Sequence, residues 1–293
     1  MARIERAGDG LDNSAREMDN ETMPDHNRLS VLVSLVLLGI AILFFVEVPT
    51  RAFSFMVLGS SLSFTFPGPW LVTGLLMALV WAGVDSILRS HPQMQGAEFW
   101  QLLPFGAFPS LLTGASVLLL YLVPDRNLWL AGLGMTGFLL YLVISGEYHL
   151  ANPHISGSKL IRLGLRSLAY LVALILYAMM YNAKVRSLQS ATTMLLVSLI
   201  LSLELLQGEE GEGQIWLYSF AIGLMMGETI WALNYWRVGS LTGGLLLLLL
   251  LHIMTGLAQQ SLTRQLTRRI LLEFAGVALM VLGILFRYAP WFW

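Results

Sequence analysis

The chain has 293 residues, of which 56% are hydrophobic and 12% charged, with a formal net charge of −1 and no cysteine. Soluble domains carry about 25% charged residues, and a soluble core of this length cannot hide so much apolar surface, so lipid must be part of the solvent. The near-zero charge argues against a nucleic-acid partner, since no basic arm exists to displace counterions, and the lack of cysteine excludes disulfides, thiolate metal sites and thiol nucleophiles.

Residues 1–27 are polar and mixed in charge, with no apolar stretch before Leu29; they read as a disordered tail, and no signal peptide is expected. The remainder, 28–293, reads as a single transmembrane domain. A hydrocarbon core of about 30 Å takes roughly 20 apolar helical residues. Nine stretches qualify: 29–47, 69–88, 101–123, 127–147, 160–181, 189–206, 214–236, 240–258 and 269–287. Residues 51–66 differ. Phe53, Phe55 and Val57, then Leu62, Phe64 and Phe66, alternate with period two around Leu58-Gly59-Ser60-Ser61. That pattern predicts a small β-hairpin or re-entrant segment. Open strand edges are not tolerated in lipid, so the segment is placed at the membrane surface, with a short tenth span as the alternative. The expected fold class is an all-α polytopic membrane protein.

Loop charge sets orientation. In a nine-span chain the N-terminal side collects eleven lysines and arginines (four between Arg3 and Arg28, Arg89, three from Lys159 to Arg166, three from Arg264 to Arg269), against six on the other side. The bias favours a cytoplasmic N-terminus. Trp70, Trp100, Trp129, Trp216, Trp236 and Trp291 to Trp293 fit interfacial belts.

Ionisable groups inside spans are costly and usually turn towards the bundle interior. Asp85 with Arg89, and Arg269 with Glu273, are spaced as i,i+4 ion pairs at helix ends. Glu204, one turn from the acidic loop Gly208 to Glu212, reads as solvated. Glu228 is different, because Leu224, Met225, Trp231 and Ala232 surround it at helical spacing and none is a cation. Glu228, Trp231 and Asn234 fall on one wide face, and Gly223 with Gly227 forms a small-xxx-small pair on its flank where another helix can approach. Two readings stand for Glu228: a neutral interhelical hydrogen-bond anchor, or a proton, cation or headgroup site. Counting across the turns places His252 near Phe274, level with Glu273, and Glu228 one turn from His252. A staggered path Glu228–His252–Glu273 is therefore expected, with His252 pairing Glu273.

Glu147, His149 and His154 cluster at the cytoplasmic end of the fourth span, and His91 can join them. Their spacing fits no metal signature, so the cluster reads as a polar helix end; no metal and no cofactor is predicted. Gly239 to Gly244 follows a helix rather than a strand and is a packing feature, not a phosphate loop.

The runs LRSHP (88–92), EYH (147–149), GETIWALNYW (227–236) and LTRRILLEFAGVAL (266–279) resemble an uncharacterised family of bacterial multi-pass membrane proteins, over residues from about 45 to 285. The resemblance implies a bacterial inner membrane and supplies no activity and no catalytic residue. From the residues, the favoured role is non-enzymatic: a membrane subunit with protein partners, or a binder of a lipid-like molecule. The alternatives are a proton-coupled transporter using Glu228 and His252, and an enzyme acting on a lipid or isoprenoid through His91, Glu147, His149 and His154. A subunit calls for a solid bundle with large apolar exposed faces, a transporter for a water-accessible cavity reaching Glu228, an enzyme for a cytoplasmic pocket where the histidines converge.

Overall fold

The computed structural model describes residues 26–46, 51–57, 60–66, 68–90, 94, 96, 98–151, 158–183, 187–208, 212–235, 239–263 and 267–288. Among them are nine helices: α1 His26–Phe45, α2 Gly68–Arg89, α3 Phe99–Tyr121, α4 Arg126–Leu150, α5 Ser158–Ala183, α6 Ser187–Leu206, α7 Glu212–Leu233, α8 Ser240–Leu262 and α9 Arg268–Tyr288. Helices α1 to α8 are long and apolar enough to cross a membrane, the pattern of a multi-pass membrane protein. Between α1 and α2, the stretches Arg51–Val57 (β1) and Ser60–Phe66 (β2) pair antiparallel, with Arg51 opposite Phe66 and Val57 opposite Ser60. Of the tail expected over 1–27, only His26 and Asn27 lie within the described residues, and they open α1.

Helix ends follow local chemistry. The Asp125 carboxylate accepts from the Leu128 N–H at 3.0 Å and starts α4. Gln101 accepts from the Glu98 N–H at 3.2 Å, which starts α3 two residues before the apolar pattern does. Helix α8 runs to Leu262, four residues beyond the expected end at 258, because Gln259 and Ser261 reach neighbouring helices and are not a solvated turn.

The chain forms two compact units divided within α5, between Leu163 and Gly164. In the first, α3 is the core. It is apolar on all sides and buried along most of its length, with α2 and α4 packed against it. Pro104 and Pro109 sit inside it and supply no N–H to the turn before. The Ser110 hydroxyl donates to the carbonyls of Gly106 (2.7 Å) and of Met77 on α2 (2.9 Å), and Thr113 donates to Pro109 O. These bonds satisfy the hydroxyls themselves inside an apolar helix. Helix α1 packs on α2 and α4. At one end His26 Nδ1 lies 3.0 Å from Tyr141 Oη, and at the other Phe44 and Phe45 cover Trp129. Trp129, expected in an interfacial belt, is therefore buried, whereas Trp70 and Trp100 are exposed.

In the second unit, α6 and α7 make the most intimate pair, with α8 against both and α9 against α8. The reason is Gly223 and Gly227. A Cβ on Gly223 would stand 2.8 Å from the Leu195 carbonyl oxygen, and one on Gly227 2.9 Å from that of Ala191. The backbones touch where those side chains are missing, as the small-xxx-small spacing suggested. Gly244 plays the same part against the Ala178 backbone of α5.

Two glycine substitutions should therefore differ in sign. Gly276 on α9 has nothing within 4 Å of an added Cβ, so Gly276→Ala should be neutral or stabilising by up to about 1 kcal/mol. Gly223→Ala should destabilise by about 1–3 kcal/mol, because backbone must move. Thermal melts of both variants in the same detergent check this.

Candidate functional site

The polar side chains of α5 to α8 are laid out at helical spacing. Tyr170, Tyr177 and Tyr181 are seven and four residues apart on α5, and Ser190, Ser198 and Ser202 are eight and four apart on α6, so each set lines one face. These faces meet. Tyr177 Oη and Ser198 Oγ, both fully buried, are 2.8 Å apart. Tyr181 donates to the Leu233 carbonyl of α7 at 3.4 Å. Tyr170 Oη lies 3.3 Å from Thr255 Oγ1 and 3.2 Å from His252 Nδ1 on α8. Ser202 donates to Ser219 O of α7 at 3.4 Å, Gln259 of α8 donates to Leu205 O of α6 at 2.9 Å, and Tyr218 of α7 meets Ser261 of α8 at 2.6 Å. Every pairing among these four helices thus carries at least one hydrogen bond.

The sequence candidates fall into three groups. Two join the bonded bundle. Asn234, just past α7, donates to Ser190 Oγ at 3.1 Å. His252 takes Tyr170 as its hydrogen-bond partner in place of the expected Glu273, and packs at 6.1 Å from the Phe274 ring, the level found by counting turns. Glu273 bonds Arg269 at 3.3 Å, in an exposed i,i+4 pair, and Asp85 bonds Arg89 at 2.8 Å in the same fashion. Among the described residues no hydrogen bond joins His252 to Glu273.

Glu228 and Trp231 turn the other way. Both are exposed on α7, along with Leu217, Phe220, Leu224, Met225 and Tyr235. Glu228, Trp231 and Asn234 do not share an interior face: Asn234 turns to α6 and the other two turn out. The reason is the whole buried face of α7: Ile222, Met226, Ile230 and Leu233, with the glycine pair at its edge, are centred on the side away from Glu228.

The third group is the expected cytoplasmic cluster. His91 and His154 lie outside the described residues. His149 Nδ1 is 2.7 Å from the Ser145 carbonyl of its own helix. Glu147 is fully buried and Tyr148 nearly so, whereas a polar interfacial helix end was expected. Glu204 is also buried, where the loop beside it suggested a solvated group. Among the described residues no three His, Asp or Glu side chains gather as a metal site would need.

Sequence reading missed the three tyrosines of α5 and the serines of α6. Their spacing of four, seven and eight was the available signal, and it is weaker than a charge because hydroxyls are common in apolar helices. If the Tyr177–Ser198 bond is a working link, Tyr177→Phe and Ser198→Ala should each cost about 0.6 kcal/mol, at most about 1.7, and the double variant should cost little more than either. Denaturant titration of the four proteins in mixed micelles measures that coupling.

Comparison with known proteins adds one finding. No curated protein and no solved structure matches the chain. The family described as Protein of unknown function (DUF5656) matches residues 48–287, which takes in every helix from α2 to α8 and nearly all of α9. The chain belongs to the DUF5656 family.

Proposed function

We propose that this is a multi-pass protein of the bacterial inner membrane, with a cytoplasmic N-terminus, α9 as a ninth span and the 51–66 hairpin lying on the membrane surface. Its role in this reading is non-enzymatic: it presents a fixed helical surface that holds a lipid-like molecule. The observation that supports this is the hydrogen bonding of α5 to α8, where all six helix pairings are bonded side chain to side chain or side chain to carbonyl. Such a bundle is solid. The side chains of Tyr177, Ser198, Tyr218, Ser261 and Gln259 are engaged between helices, while large apolar side chains such as Leu217, Phe220 and Leu241 face outward. A transport path needs the reverse arrangement, polar groups lining water.

The absence of native cysteine allows a clean test. A single cysteine in place of Ser198, which is 0% exposed, should resist a water-soluble maleimide in folded protein and react only after denaturation. Tyr235→Cys, 79% exposed, should react throughout. Labelling of the Ser198→Cys protein in intact membranes would mean a water-filled interior and would defeat this reading. Proton flux in proteoliposomes should be unchanged by Glu228→Gln.

A further inference from the structure

We propose that the outward face of α7 around Glu228 seats a membrane lipid with an ammonium headgroup, an inference that rests on the lipid-binding reading above. Glu228 lies inside the span Gly213–Leu233, five residues before its end, and has no hydrogen bond or ion pair among the described residues. Helical Cα–Cβ bonds tilt towards the helix N-terminus, so the carboxylate leans into the span and away from the nearer end. A carboxylate so placed on an outward apolar face needs a cation or donor brought by whatever covers that face.

The neighbouring side chains say what kind of molecule brings it. Going along the span towards its C-terminal end, the outward face carries Leu217, Phe220, Leu224, Glu228 and Trp231, with Tyr235 just past the helix, all within about 80° of Glu228 at helical spacing. The apolar part matches acyl chains, the carboxylate comes next, and two aromatics follow at the level where the interface begins. A carboxylate beside an indole and a phenol complements a positive headgroup, by charge and by the attraction of a cation to an aromatic face. An anionic headgroup would be repelled. A second helix fits this face less well. Close helix pairing in lipid uses small residues, and the two glycines of this stretch, Gly223 and Gly227, are already turned to α6. Bulky side chains spaced along one face suit flexible chains.

The test uses the full-length protein in nanodiscs of equal phosphatidylethanolamine and phosphatidylglycerol, with retained lipid identified by native mass spectrometry. The wild type should keep phosphatidylethanolamine over phosphatidylglycerol. Glu228→Gln should lower that preference about tenfold, the ratio given by one charge-assisted hydrogen bond of modest strength. Trp231→Leu should lower it too, by removing the aromatic partner without touching the carboxylate. Equal retention of the two lipids by the wild type, or a preference that survives both substitutions, overturns the site while leaving lipid binding itself in place. Wild-type protein that retains neither lipid overturns the lipid-binding reading as well. Efficient disulfide linking of two chains through Glu228→Cys would show a second copy on this face, and would also overturn the site.

Discussion

Two apolar helices already surrounded by lipid gain nothing by hiding from it together. What holds α6 against α7 is contact between their backbones, permitted where Gly223 and Gly227 lack a side chain. Dispersion is short-ranged, and each ångström of separation forfeits much of it. The closeness also brings Ser202 to the Ser219 carbonyl and Asn234 to Ser190. The glycines decide the distance, and the distance decides which hydroxyls can bond. The same logic joins α8 to α5, where Gly243 lies against the Tyr181 ring and Gly244 against the Ala178 backbone.

The rest of the buried face of α7 lies beside this contact. Ile222, Met226, Ile230 and Leu233 are buried next to the glycines, which leaves Glu228, Trp231 and Tyr235 to the exterior. The carboxylate faces outward as the geometric complement of a packing face that contains no charge. The bonds between these helices are made mostly by uncharged side chains: tyrosine, serine, threonine, asparagine and glutamine.

The helices were legible from apolar length because lipid imposes that length on any sequence. Boundaries strayed where polar residues do interior work. Gln259 and Ser261 resemble a loop but bond α6 and α7, and Glu147 resembles an interfacial helix end but is buried. The placement of His252 beside Phe274 was readable, since turns of known length fix depth. Its partner was not, because depth leaves direction open and Tyr170 lies on a helix far away in sequence. Glu228 misled for a related reason. A helical wheel shows which residues share a face; it does not show which face is inside. The glycine pair was the better guide, since small residues four apart let another backbone approach closely.

Helix α3 carries a consequence for how the first unit is assembled. It ends up enclosed, yet its hydroxyls are not waiting for neighbours: Ser110 reaches Gly106 O and Thr113 reaches Pro109 O within the helix itself. A segment that satisfies its own side chains can dissolve in the bilayer as soon as it is made and wait there. When α4 follows and closes over it, apolar contacts replace lipid and no internal bond has to be exchanged. One bond to a neighbour is seen among the described residues, from Ser110 to Met77 O on α2, a helix synthesised earlier. Ser110 and Thr113, bonded within their own helix, thus suit α3 to be an early member around which later helices condense.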